Sequence, residues 1–141
     1  MEQLKQRYEK YIQDAIVIRQ KAGPLAGIFG MGNGPQNDPA HVIFYEDVQA
    51  WVQQFLAKGP REQECFEAAS FILRAPAELG QEDSYWMMYA VQGLTRDLVK
   101  GLTGEHCAWL LSFYDAHYPV KDRMPVQREL YKQLKKGAKS K

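Results

Sequence analysis

The chain has little cysteine, no apolar run of membrane length and almost no net charge, and each shortage removes a class of protein. Two cysteines, Cys65 and Cys107, stand 42 positions apart in a sequence of 141 residues. That spacing excludes a dense disulfide framework and any CxxC redox or metal motif. The longest uninterrupted apolar or aromatic stretch is the seven residues 85–91, well short of the roughly 20 that a membrane-spanning helix needs. The opening MEQLKQRYEK mixes both charge signs from its second residue, so no secretion signal is expected and the cytoplasm is the expected compartment. Alternation of β-branched and polar residues over strand length is missing too, which argues against any sheet.

What is present fits an ordinary globular chain. Hydrophobic residues make up 45% and charged residues 25%, a balance that excludes both disorder and membrane residence. At this length one core is expected, burying roughly two thirds of the unfolded chain's surface. The net charge of +1 is unevenly placed, because residues 121–141 hold eight lysines or arginines against two acids. Such an end can seek phosphates or an acidic surface. Lysines near a helix C-terminus also suit the helix macrodipole, and the segment contains one aromatic, Tyr131, so a nucleic-acid partner is not expected.

Apolar periodicity predicts an all-α fold of about six helices. The first covers 3–22 and ends at Gly23-Pro24. A long glycine-rich loop occupies 23–38, with five of the chain's eleven glycines. Asp38-Pro39 then supplies a capping acceptor and a proline where a missing N–H costs nothing. The second helix covers 39–57 and its inward face holds Phe44, Val48, Trp51, Val52, Phe55 and Leu56. Lys58-Gly59-Pro60 is read as a tight connection folding a third helix, 60–74, back onto the second. Pro76 and Gly80 place a loop at 75–81, and Asp83 or Ser84 caps a fourth helix, 83–100, with a kink at Gly93. Thr103 caps a fifth helix reaching His117, expected to lie on the fourth. The last helix covers 125–136, the whole domain is 1–136, and 137–141 is expected to be a flexible basic tail.

Sliding the sequence by 42 places aligns LAKGPREQECFEAASF with LVKGLTGEHCAWLLSF, matching a Leu, Lys, Gly, Cys, Ser and Phe. This period resembles that of HEAT or armadillo-type helical hairpins, which bury their faces by stacking. That resemblance implies a short α-α superhelix; a plain helical bundle is the alternative.

Chemical motifs are scarce. The glycine-rich segment GPLAGIFGMGNGPQNDP has neither GxxxxGK[ST] nor GxGxxG, so a phosphate cradle is not expected there. Its glycines allow close backbone approach to a non-phosphate ligand or a peptide, and a loop of this length is often functional. His41, His106 and His117 lack the HxxxH or HxxE spacing of a metal site, and only Asp38 with His41 falls at i, i+3. His106 and Cys107 are adjacent on a helix, which points them about 100 degrees apart and prevents a thiol–imidazole pair. Neither a catalytic set, a metal nor a cofactor is expected. The aromatic supply, Trp51, Tyr85, Trp86, Tyr89, Trp109, Tyr114 and Tyr118, is read first as core and second as a pocket wall. The expected function is an interaction module without catalysis, binding a protein or peptide through Gly30, Gly32, Asn33, His41, Tyr45, Trp86 and Tyr89. The alternative is a small-molecule binder or enzyme with an aromatic-lined pocket in which Glu46, Asp47, His41 or Tyr45 would act.

Overall fold

Asp38 has extended backbone and its carboxylate accepts from the Ala40 amide at 2.9 Å, so the second helix starts where the capping signal places it. The computed structural model describes residues 1–22, 38–79 and 86–139. They are almost wholly helical, and no strand occurs among them. The elements are α1 (Glu2–Ala22), α2 (Pro39–Ala57), α3 (Glu62–Glu78), α4 (Met87–Ala90), α5 (Arg96–Lys100), α6 (Gly104–His117) and α7 (Pro125–Lys139). A 3-10 turn at Val91–Thr95 joins α4 to α5, and another at Val120–Asp122 lies between α6 and α7.

The fourth helix is therefore interrupted where the sequence suggests a kink. A β-carbon added at Gly93 would lie 2.7 Å from Val126 Cγ2, so the absent side chain lets α7 approach the turn. The Thr95 hydroxyl donates to the Gln92 carbonyl at 2.7 Å and occupies an acceptor that the turn exposes. Residues 83–85, with the caps expected there, lie outside the described residues.

Three expectations about packing are corrected. The third helix does not stop at 74 with a loop at 75–81; α3 continues to Glu78 with Pro76 inside it. Pro76 cannot donate to the Ile72 carbonyl, which ordinarily breaks a helix. Here the Leu73 carbonyl, in the same opened turn, accepts from Gln92 Nε2 at 3.1 Å and from the Tyr118 hydroxyl at 2.6 Å. Two side chains from distant elements stabilise the proline turn.

The hairpin pairing is also different. α1 lies antiparallel to α2, tied by the Arg7–Asp47 ion pair and by stacking of Tyr11 on Phe44, centroids 4.2 Å apart. α6 lies antiparallel to α7, and between these two pairs run α3 and the α4–α5 segment, which also touches α2 and α7. The buried stripe of α2, His41, Phe44, Val48 and Val52, is taken up by α1 and the α4 segment, so α2 is not free to pair with α3. Likewise α6 gives its face to α7 rather than to α5. The two halves of the 42-residue echo also differ: Gly59 takes a φ of +66 degrees, while Gly101 sits at −88 degrees.

The third correction concerns the basic end. Residues 137–139 are helical, and Gly137 sits against Cys107, where an added β-carbon would come within 2.7 Å of Sγ. A larger residue at 137 would push α7 off the start of α6. Residues 140 and 141 lie outside the described set.

Candidate functional site

The predicted site residues are dispersed. Gly30, Gly32 and Asn33 lie outside the described residues, as does the rest of the glycine-rich segment up to 37. His41 is buried, its Nδ1 sharing a 2.7 Å hydrogen bond with the Tyr11 hydroxyl, and its ring lies 5.1 Å from that of Trp86. Burial pushes the Tyr11 phenol well above the ordinary tyrosine range. Tyr45 lines a groove between the α4–α5 segment and α7 that neither His41, Trp86 nor Tyr89 lines. Tyr89 faces Tyr118, centroids 6.3 Å apart. The structure thus joins His41 to Trp86 and sends Tyr45 elsewhere.

Other candidates resolve into structural roles. Asp38 caps α2, so it is not paired with His41 as a ligand set. Asp47 is engaged by Arg7, while Glu46 faces solvent. Cys65 and Cys107 are free thiols inside the fold, and burial foremost, with the charge of Glu62 second, pushes both above the ordinary thiol range. A raised thiol is a poor nucleophile. Among the described residues no group of three His, Cys, Asp or Glu side chains is arranged to hold a metal.

A buried polar cluster occupies the centre. The Tyr114 hydroxyl donates to Gln92 Oε1 at 2.7 Å, and Gln92 Nε2 and Tyr118 meet on the Leu73 carbonyl. Tyr8 is fully buried nearby, packed edge-on to Phe44 and Phe71. Desolvation raises all three phenols far above their usual range. Groups so deeply enclosed stabilise a fold and cannot meet a substrate.

The outer face of α6 is different. His106, Trp109, Phe113 and His117 follow one another at three- and four-residue intervals, which puts their side chains on one stripe. Phe66 from α3 stacks on His106 with centroids 3.8 Å apart and meets Trp109 edge-on at 5.7 Å. Trp109 stacks toward Phe113, which stacks on His117 at 4.2 Å. Trp109 is 47% exposed, a large apolar area to leave in water. The stripe borders a groove of about 750 Å³ that holds Phe66, Phe71, His106 and Trp109 between cations at Lys5 and Arg74 and acids at Glu67 and Glu105.

The stripe is fixed at one end by a carboxylate joining two helix starts. Glu62, in the first turn of α3, accepts from the Thr103 amide at 2.9 Å and from His106 Nδ1 at 2.6 Å. Thr103 itself caps α6 by accepting from the His106 amide at 3.1 Å. Glu62 therefore does from another helix what the third residue of a capping box usually does from its own. Partial burial works against its charge, yet the Thr103 amide and His106 outweigh it and hold the carboxyl below its ordinary range. Because a carboxylate only accepts, Nδ1 carries the proton and the ring is held in one orientation.

Sequence reasoning singled out Trp109 only within a general supply of aromatics and left Phe113 and the Glu62–His106 pair unassigned. The spacing 106, 109, 113, 117 forms a second stripe roughly 90 degrees around the helix from the core stripe 107, 110, 114, and that contrast was readable. The Glu62 contact was not, since it spans 44 positions.

Fold and surface together define an all-α protein with a solvent-facing aromatic stripe beside a groove of mixed charge. Set against family models, curated proteins and solved structures, the chain matches none.

Proposed function

We propose that this is a non-enzymatic interaction module that takes a protein or peptide segment along the outer face of α6, inside a cell. The observation that carries the reading is the half-exposed Trp109, held in a continuous run of rings from Phe66 to His117. Exposed Trp and Phe in a fixed geometry are the usual energetic anchors of protein interfaces, because little side-chain entropy remains to be lost on binding. The groove's lining combines Lys5 and Arg74 with Glu67 and Glu105. Mixed charge of this kind suits a peptide, with its backbone dipoles and varied side chains, better than a uniformly charged ligand. A reducing interior is supported by the two free thiols, Cys65 and Cys107. The expected participation of Gly30, Gly32 and Asn33 stays a separate proposal, since those residues lie outside the described set.

The test uses the full chain as bait for a displayed peptide library. Selected peptides should carry an aromatic or large aliphatic anchor, quench Trp109 fluorescence, and lose about a hundredfold in affinity on Trp109→Ala, the size of a central hot spot. A Tyr45→Ala variant should bind them unchanged. Peptides that bind the Trp109→Ala protein as tightly as the parent would overturn the reading.

A further inference from the structure

A second groove, on the opposite side of α7's buried stripe from α6, has a different character. It measures about 880 Å³, within the usual size of a small-molecule site. Arg96 and Lys100 come to it from α5 and Lys132 and Lys136 from α7, each pair one helical turn apart or about 6 Å. The Gln133 side chain donates to the Arg96 carbonyl at 2.8 Å and holds the two helices in this relation.

Four cations thus border one cavity, and its acids do not neutralise them. Lys100 pairs with Asp97 at 3.1 Å and Lys132 with Glu129 at 3.8 Å, both at exposed positions where such pairs are weak. Arg96 and Lys136 have no carboxylate partner among the described residues. Like charges gathered at one groove repel, and an anion lying between them relieves that repulsion. The floor is apolar, formed by Ala90, Val126 and Leu130, and the Tyr45 ring stands at its wall.

We propose that this groove binds an organic polyphosphate, with the phosphate chain among the four cations and an apolar or aromatic body on the Tyr45 side. A compact chain of phosphates puts several charges within the reach of two helical pairs, where a single carboxylate satisfies one of them. The guanidinium of Arg96 adds a planar fork suited to phosphate oxygens. The Tyr45 ring supplies a face on which a flat body can stack. This site is independent of the α6 stripe and does not depend on the peptide reading.

Binding is measured by calorimetry and thermal shift on the full chain with three probes: inorganic tripolyphosphate, ATP and a hexaglutamate peptide. Tripolyphosphate and ATP should both bind and raise the unfolding temperature, the effect shrinking as salt rises. Tighter binding of ATP would place its base on Tyr45, and Tyr45→Ala should then reduce ATP to the affinity of tripolyphosphate. The pair Arg96→Glu with Lys136→Glu should lose tenfold or more in affinity, whereas Lys121→Glu with Lys135→Glu, a change of equal charge outside the groove, should lose less than threefold. Far-ultraviolet dichroism of each variant separates lost binding from lost folding. Equal losses in the two double variants would reduce the effect to general surface charge and overturn the proposal. Absence of binding, or preference for hexaglutamate over both phosphates, would also overturn it.

Discussion

The two faces of α6 carry similar residues for opposite purposes. Inward, Cys107, Leu110 and Tyr114 are buried, and the Tyr114 hydroxyl is tied to Gln92. Outward, His106, Trp109, Phe113 and His117 touch chiefly one another and Phe66. The contrast shows that aromatic content decides nothing by itself; what separates the two sides is what lies against them, α7 and the central polar cluster inward, Phe66 and one another's rings outward. Tyr114→Ala should therefore cost about 3–5 kcal/mol, the range for emptying a buried aromatic site. Tyr114→Phe keeps the ring and leaves Gln92 Oε1 without its donor, for about 1–3 kcal/mol. Urea unfolding measures both, and a Phe variant as stable as the parent would show that Gln92 finds another partner.

The buried side of that comparison also sets an alkaline limit. Tyr8, Tyr114 and Tyr118 have folded pKa values raised above the unfolded value, by burial first. Their contribution is complete below the ordinary phenol pKa of about 10 and is lost as pH climbs through the folded values. Phenolate absorbance should show these three titrating only together with unfolding. Early, independent ionisation of Tyr114 would mean that the cluster is open to water.

The turn after α6 holds both faces in place, and Arg123 is its centre. This guanidinium is 7% exposed, donates from Nε to the Tyr118 carbonyl at 2.9 Å and lies 4.4 Å from the Tyr131 ring centroid. Arg123→Ala should cost about 2–3 kcal/mol, since it removes charge-assisted bonds to buried carbonyls together with packing on Tyr131. Arg123→Lys restores the charge without the planar fork, so thermal unfolding should place it between parent and Ala. A Lys variant equal to the parent would show that charge alone suffices.

At the other end of α6, Glu62 orders the stripe from outside it. Glu62→Gln should cost about 1.5 kcal/mol at neutral pH, the low end for a hydrogen bond to a charged group, since the carboxylate is partly exposed. The folded carboxyl is held below its unfolded value, so its stabilisation is present above the ordinary carboxylate pKa of about 4.3 and is lost as pH falls through the lower folded value. Parent and variant stabilities should therefore converge in acid. A difference that persists at low pH would assign the effect to shape rather than charge.

Local signals in the sequence carried the helix starts well. Asp38-Pro39 and Thr103 cap α2 and α6 as their side-chain chemistry dictates, and α2 ends at Ala57 before the glycine stop. What escaped was set by distant partners. Pro76 reads as a helix end because nothing within ten residues offers its turn a donor; Gln92 and Tyr118 do so from 19 and 45 positions away. The choice of helix partners escaped for the same reason, since the stripe on α2 says that it must be covered but not by which element. Among the predicted site residues, His41 is marked in the sequence by its place three residues after Asp38 and Trp86 by its membership of the aromatic supply. Only packing shows His41 spent on Tyr11 and Tyr45 turned toward α7.

The smallest expected change in stability is the one that most sharpens the comparison. Trp109 contacts Phe66 and Phe113 at centroid distances of 5.7 and 6.1 Å, yet 47% of its surface faces water. Half-exposed, it gives up only these ring contacts, so Trp109→Ala should cost no more than about 1 kcal/mol. Phe113 touches both His117 on the stripe and Tyr118 toward the core, at 4.2 and 5.9 Å, and its replacement by Ala should therefore cost more than that of Trp109. Guanidinium unfolding of the two variants side by side decides the matter. If Trp109→Ala proved the more damaging, the stripe would be part of the core's support, and its exposure would no longer call for a partner.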